Sequence, residues 1–213
     1  MTSAHHGAGQ AGDRAWDVCR PLAGRGIPGP GRISRMRVIL CGANPGVRLF
    51  DGDVVTAYAS VWMVDWSERG RGNALVLWHD GAVRVLADEP EFGAWLESAF
   101  VRHFPEAVGL DWPAPTPERA AVDARLDFAD GVFSARAGDV EVTMSGVLHR
   151  RVFETDEFPL DGVPHGLRLV TAPVSDAAIA VGGRRLPGVV TRGGAAERPT
   201  SSAFLTTAEV WLG

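Results

Sequence analysis

Two turn signals within residues 121–145 predict a three-stranded antiparallel meander and its register. Asp130-Gly131 and Gly138-Asp139 supply the residue types that two-residue hairpin turns need, because such turns use positive φ angles. Pairing the strands outward from both turns places one apolar set on a single face, namely Phe128 with Phe133 and Met144, Leu126 with Ala135 and Val142, and Ala137 with Val140. A slip of one residue at either turn would move that set to the polar face. The segment therefore predicts a sheet with one buried and one exposed side.

The remaining chain contains further hairpin signals. Asp51-Gly52-Asp53 and Asp80-Gly81 are flanked by short apolar stretches, and residues 54–66 are apolar on both faces. A strand of that kind is typical of the centre of a sheet covered on each side. Residues 42–46 are predicted as a loop, and Gly146 as a bulge or bend within its strand. Strands are predicted at 36–41, 47–50, 54–66, 74–79, 82–87, 140–153, 167–171, 177–181, 184–186 and 203–212.

Residues 90–104 predict one amphipathic helix. Pro90 suits the first turn of a helix, and the neighbouring acidic residues suit the positive end of the helix dipole. Apolar side chains then recur at helical spacing: Phe92, Trp95, Leu96, Ala99 and Phe100. About ten short strands and this helix predict an α+β fold, in which a mainly antiparallel curved sheet or partly open β-barrel packs on the helix. A β-sandwich is the second choice.

Composition divides the chain into a tail and one folded unit. Residues 1–35 contain seven glycines, three prolines and five arginines, and they offer little apolar surface to offset the entropy lost on ordering. We expect this segment to be disordered, and Met36 is a candidate for the physiological start. Residues 36–213 are expected to form a single β-rich domain.

Charge and lysine usage exclude several function classes. The 213 residues include 21 basic and 26 acidic side chains, for a net charge of −5, which argues against a nucleic-acid partner because phosphates need neutralising. Every basic residue is an arginine. The absence of lysine excludes a Schiff base, a pyridoxal-type lysine and a P-loop lysine.

Metal, cofactor and membrane signals are also missing from the sequence. No HExxH motif or cysteine-rich zinc pattern occurs, so neither a metal nor a cofactor is expected. No apolar run reaches the length of a membrane span. The two cysteines, Cys19 and Cys41, form no CxxC motif, and a cytoplasmic location is expected for a chain with so few cysteines.

The densest cluster of ionisable residues surrounds His149. In a catalytic interpretation, His149 acts as a general acid or base oriented by Asp156 or Glu157, and one of the adjacent arginines, Arg150 or Arg151, holds an anionic group. This interpretation requires the sheet to bend after Gly146 far enough to bring the imidazole towards a cavity. The simpler interpretation is a solvated strand end whose opposite charges pair at the surface.

A row of aromatic residues on the predicted central strand is the second candidate site. Tyr58, Trp62 and Trp66 share one face, so they predict the wall of a cavity for a flat or apolar ligand. The alternative is ordinary core packing, in which the tryptophans supply volume. Tyr58 is the only tyrosine in the chain.

Three functions are compatible with these patterns. The first choice is binding of a small apolar or aromatic molecule in a cavity between sheet and helix, with Tyr58, Trp62, Trp66 and Arg150 as ligand-binding residues. The second is a cofactor-independent enzyme that uses His149 with Asp156 or Glu157. The third is a protein-interaction module with an exposed sheet edge. The patterns contain no signal for an oligomeric state.

Overall fold

The computed structural model describes residues 37–160 and 162–212, and within these ranges it contains fifteen strands and one α-helix. The predictions for residues 1–35, for Met36 and for Cys19 fall outside the described residues. The helix α1 spans Pro90–Ala99, and 3₁₀ turns follow at Val101–His103 and Pro105–Ala107. The strands are β1 (Arg37–Ala43), β2 (Gly46–Asp51), β3 (Val54–Ser67), β4 (Gly72–His79), β5 (Ala82–Ala87), β6 (Pro117–Arg119), β7 (Val122–Asp127), β8 (Val132–Ala137), β9 (Val140–Val147), β10 (Arg151–Leu160), β11 (Val163–Val181), β12 (Arg184–Arg185), β13 (Arg192–Ala195), β14 (Arg198–Ser201) and β15 (Ala203–Leu212).

Thirteen of the described strands form one large sheet. Its main path runs β6-β5-β4-β3-β1-β15-β11-β9-β8-β7, with β2 beside β3 and β15, and with β10 and β12 paired to β11. All pairs are antiparallel except β5 with β6. The strands β13 and β14 form a separate hairpin. The predicted α+β class, with a mainly antiparallel curved sheet and one helix, is therefore confirmed. No helix in the described part of the chain is long and apolar enough to span a membrane.

The strands β1 and β2 lie end to end in the sheet, and both pair with β3 on one side and with β15 on the other. Ala43 pairs with Met63 and Gly46 pairs with Ser60, so the register against β3 continues across the interruption at Asn44-Pro45. The loop that the sequence predicts over residues 42–46 is therefore too long, because the structure has only a two-residue break at Asn44-Pro45. Proline has no N–H to give to a strand ladder, which explains why the regular pairing stops only there.

The strand β11 is the longest, with 19 residues. Its first half lies between β10 and β15, and its second half pairs with β9. The sequence predicted two short strands here and one strand over residues 140–153. The structure instead has one strand, β11, and two neighbours, β9 and β10. Gly146 has φ of +74° near the end of β9, but the pairing of β9 with β11 runs without a register shift from Ser145 to Val147, so the structure has no bulge at this predicted bulge or bend.

The meander register was correct at one turn and shifted at the other. Between β8 and β9 the structure has the predicted pairs, including Phe133 with Met144. Between β7 and β8, Phe133 lies opposite Leu126 rather than Phe128, because residues 128–131 form a four-residue turn. The Asp127 carboxylate accepts a hydrogen bond from the Asp130 amide in that turn. A shift of two residues keeps each side chain on its face, so the predicted buried face is confirmed.

The sheet curls so that its two ends approach each other and enclose one apolar core. That core lies between strands β2 to β5 on one side and β7, β8, β9 and part of β11 on the other. The Asp88 carboxylate accepts hydrogen bonds from the amides of Asn73 and Val122, which lie on β4 and β7. This carboxylate therefore ties the two ends of the sheet together.

A second apolar core lies on the opposite face of β3, β4 and β5, under the helix. Phe92 and Leu96 of α1 are buried against this face. Gly93 allows the close approach, because a Cβ at this position would lie 2.6 Å from the Cβ of Ala87 on β5. The predicted helix over residues 90–104 is confirmed in place, although its last part is a 3₁₀ turn.

We expect Phe133→Asp to prevent stable folding and Ser134→Asp to be tolerated. Phe133 is 1% exposed between Leu126 and Met144. An aspartate at this position would be desolvated without a partner, which would lower the free energy of unfolding by about 2 kcal/mol or more. Ser134 is exposed on the other face of β8. Thermal unfolding followed by circular dichroism measures the difference, and equal midpoints in the two variants would contradict this register.

Candidate functional site

A cavity of about 550 Å³ lies on the helix side of the sheet. Its roof is the 3₁₀ region after α1, and its floor is built by alternate residues of β11 and β15. The intervening residues of those strands, such as Ala172 and Leu205, face the enclosed core. The apolar lining residues are Phe50, Trp62, Phe100, Phe104, Phe153, Phe158, Leu167, Leu169, Phe204, Ala208 and Val210. The cavity is thus a product of strand alternation, with one face for the core and the other for the site.

An aromatic cluster joins the sheet to the roof. The Trp62 ring lies 5.5 Å from the ring of Phe100 and 6.0 Å from that of Phe104, measured between centroids. Gly46 on β2 leaves space for a further ring, because a Cβ there would lie 2.8 Å from the Phe204 ring. The walls of the cavity are therefore mainly aromatic and packed from several elements.

Polar groups gather at the β2 end of the cavity. Asn44 occupies the break between β1 and β2, and its Nδ2 donates to Ser60 Oγ at 2.9 Å and to the Val61 carbonyl at 3.1 Å. Its backbone amide donates to the Thr206 carbonyl at 2.9 Å. Arg48 lies two residues into β2, opposite Tyr58. The interrupted strand thus places Asn44 and Arg48 on the wall of the cavity.

Three buried polar side-chain atoms of the described residues have no hydrogen-bond partner, and all three belong to residues that line this cavity. They are Arg48 Nε, Trp62 Nε1 and Thr206 Oγ1. Buried polar groups are nearly always paired, so a cluster of unpaired ones is uncommon. Their occurrence in three residues of one cavity wall indicates a region of incomplete hydrogen bonding, of the kind that a polar group of a ligand or water completes.

Burial changes the titration of two groups beside Arg48. Desolvation raises the pKa of the Glu106 carboxyl above its ordinary value, while its own backbone hydrogen bond and the Arg48 charge oppose that rise. Desolvation also raises the pKa of Tyr58 far above that of an ordinary phenol, and the nearby Glu106 adds to the increase. Both groups therefore favour their protonated forms more than they would in water.

The structure places the predicted aromatic row in three environments. Trp62 lines the cavity. Tyr58 is 1% exposed and lies behind the wall, with its ring 6.2 Å from that of Trp112. Trp66 is 49% exposed near the end of β3 and does not line the cavity. Arg150 also lies elsewhere, since its guanidinium donates to the carbonyls of Phe128 and Ala129, whereas its neighbour Arg151 does line the cavity.

The candidate catalytic residues lie at the surface. His149 is exposed between β9 and β10, and Asp156 and Glu157 are exposed on β10. Within the described residues, no hydrogen bond joins the imidazole to either carboxylate, and none of the three lines the cavity. Their catalytic role stays a prediction.

Sequence reasoning missed most of the polar residues that line the cavity, among them Asn44, Arg48, Glu106 and Thr206. One signal was present, because the hairpin around residues 51–53 pairs Arg48 with Tyr58 and so places an arginine beside the aromatic row. Asn44 fell within the predicted loop. Glu106 and Thr206 reach the cavity only through tertiary packing, which no local pattern shows.

Comparisons with known proteins assign no family to this chain. No family model matches the sequence, and no curated protein matches it significantly. Among solved structures, an acetoacetate decarboxylase from Legionella pneumophila matches with a TM-score of 0.35 and 9% identity, covering 87% of this chain and 90% of that one. A second acetoacetate decarboxylase structure matches with a TM-score of 0.32 and 10% identity, covering 83% and 86% of the two chains. A likeness of this degree establishes no activity.

The only tyrosine allows a direct test of burial beside the cavity. We expect no phenolate absorbance from the folded protein up to a pH of about 11, since desolvation holds the pKa of Tyr58 above the ordinary value of about 10. The same absorbance should appear at that pH once denaturant unfolds the chain. A normal phenol titration that precedes loss of the far-ultraviolet circular dichroism signal would show that Tyr58 is solvated.

Glu106 should make stability fall as the pH rises. Its folded-state pKa is raised, so the stabilisation is present below the unfolded-state value of about 4.3 and is lost as the pH rises through the folded-state value. Glu106→Gln should remove this loss, because an amide has no charge to desolvate. Urea unfolding at a series of pH values checks the prediction, with Glu91→Gln on the exposed surface as the control. Parallel curves for the Glu106→Gln variant and the wild type would contradict it.

Proposed function

We propose that this protein binds a small molecule with an apolar or aromatic body in the cavity between sheet and helix. The observation that carries the proposal is a largely aromatic cavity whose lining includes the three residues with unpaired buried polar atoms. Its volume of about 550 Å³ falls within the range of small-molecule sites. A few placed polar groups on apolar walls are the usual composition of such sites.

Of the four ligand-binding residues that the sequence predicts, only Trp62 belongs to the binding site that we propose. It contributes an apolar surface to the cavity, and its buried indole N–H has no hydrogen-bond partner. Tyr58 supports the wall from behind, and Arg48 and Arg151 take the place that the sequence assigned to Arg150. We keep as part of the proposal the cytoplasmic location that the sparse cysteine usage of the sequence predicts.

The interaction-module alternative is weaker. One exposed edge strand of the sheet is β10, which carries the acidic residues Glu154, Asp156 and Glu157. Its register shifts between Thr155 and Phe158. Charges and bulges are the features by which edge strands avoid pairing with other chains. The edge is therefore better suited to resisting a partner strand than to accepting one.

Filling the cavity should abolish binding without unfolding the protein. Ala208 is partly buried and lines the floor from β15, so Ala208→Phe would place a phenyl ring in the space that a ligand needs. We expect the neutral fluorescent probe N-phenylnaphthylamine to bind wild type with a Kd on the order of micromolar, and Ala208→Phe to weaken it about tenfold or more.

The matched control is Ala82→Phe, the same substitution at an exposed position at the start of β5. This variant should bind the probe as wild type does, and thermal midpoints of both variants separate loss of binding from loss of fold. Equal probe affinity in the Ala208→Phe and Ala82→Phe variants, or no saturable binding to wild type, would contradict the proposed function.

A further inference from the structure

We propose that the cavity selects an organic anion, a carboxylate on an apolar body, and that Arg48 is the residue that binds it. This inference rests on the proposed function and names the chemical class of its ligand. The supporting observations are the charge balance of the half-buried arginines, the single acidic group in the wall, and the arrangement of the unpaired donors.

Half-buried arginines are few in the described part of the chain. They are Arg48, Arg84 and Arg151. Arg84 is neutralised by Glu118 and Asp139. Neither Arg48 nor Arg151 forms an ion pair with any described carboxylate, and both line the cavity. Within the described residues, both half-buried arginines that lack a counter-ion therefore lie in the cavity wall, where a bound carboxylate would supply the counter-ion.

Arg48 is the better placed of the two. It lies on β2, which is paired on both sides by β3 and β15, whereas Arg151 begins the edge strand β10. The Arg48 guanidinium lies over the Phe50 ring, 5.3 Å from its centroid, and its Nε is buried without a partner. A guanidinium held against an aromatic face on a central strand is pre-organised for a bidentate contact.

The wall contains one acidic residue, and it does not pair with Arg48. Among the described residues, Glu106 is the only carboxylate that lines the cavity, and it forms no ion pair with any of them. Desolvation raises its pKa, which reduces the negative charge that it would place beside the arginine. The arginines thus give the cavity a positive charge that Glu106 offsets only in part.

Apart from Arg151, the remaining donors are neutral, which favours a carboxylate over a phosphate. Trp62 Nε1 and Thr206 Oγ1 are the other unpaired buried polar atoms among the lining residues, and most of the remaining lining residues are apolar. Phosphate sites use several backbone N–H groups or a helix N-terminus as well as cations. A fork-shaped cation on a central strand, a second arginine at the edge, neutral donors and aromatic walls fit a carboxylate with a hydrophobic remainder.

The test compares acids with neutral molecules of the same shape. Phenylacetate, indoleacetate and octanoate, each with its primary amide, are titrated into the full chain at neutral pH by isothermal titration calorimetry. We expect at least one acid to bind about tenfold or more tightly than its amide, because only the acid pairs with the guanidinium. In Arg48→Met, which keeps most of the side-chain length, that preference should disappear.

The controls separate the two proposals. Arg125→Met, at an exposed arginine on β7, should leave the preference unchanged, and thermal midpoints exclude misfolding of the variants. Equal binding of acid and amide by wild type would overturn the anion inference and leave apolar binding intact. A preference that survives in Arg48→Met but is lost in Arg151→Met would overturn the assignment to Arg48. Binding of neither form would overturn the proposed function itself.

Discussion

The structure depends on one strand that is buried on both faces. The odd-numbered residues of β3 from Ala57 to Met63 face the core enclosed by the curled sheet, and Tyr58 and Trp62 face the helix side. Small side chains on the first face let the far strands approach, and large aromatic ones on the second face support the roof of the cavity. The same alternation runs through β15, where Leu205 enters the core and Thr206 faces the cavity. A register error in either strand would therefore exchange the core and the site, so stability and function are subject to the same constraint.

Keeping Arg48 without a counter-ion has an energetic cost. A guanidinium that loses water without gaining an ion pair destabilises the folded state, and each buried polar atom without a partner adds to that cost by about 1–3 kcal/mol. The Phe50 ring offsets a part through its contact with the cation. The ion pair of Glu97 with Arg102 shows the usual solution, since that buried carboxylate also accepts a hydrogen bond from Trp112 at 2.7 Å. The Glu97–Arg102 ion pair is thus satisfied within the fold, whereas Arg48 has no carboxylate partner among the described residues. An unpaired arginine in a cavity wall is typical of a binding site whose ligand supplies the counter-charge.

Local patterns predicted the fold well and the site only in part. Hairpin turn residues and the alternation of apolar and polar residues predict which side chains share a face in β3, β4, β8 and β9, because both signals depend only on residues close together in the sequence. They fail where pairing is decided by distant strands: β11 continues through Pro173 as one strand since β15 and β9 support its two halves in turn. The four-residue turn at 128–131 was missed because Asp130-Gly131 is typical of a two-residue turn, whereas the hydrogen bond from the Asp130 amide to the Asp127 side chain belongs to the longer one. Glu106 and Thr206 are about a hundred residues apart in the chain, and only the curl of the sheet and the 3₁₀ turns bring them to one cavity.

The edge strand β10 links the binding hypothesis to the interaction hypothesis. Arg151, Phe153 and Phe158 line the cavity, while Glu154 and Asp156 are exposed. Phe153 is 49% exposed although it belongs to the wall, so the cavity opens to solvent beside this strand. A ligand that covers Phe153 would remove apolar surface from water, at roughly 25 cal/mol for each Å² buried, and would do so without pairing the edge. A partner strand would instead have to bring its own backbone against three carboxylates and a bulge. The exposed apolar surface on β10 is therefore better explained as the mouth of a binding site than as a docking edge.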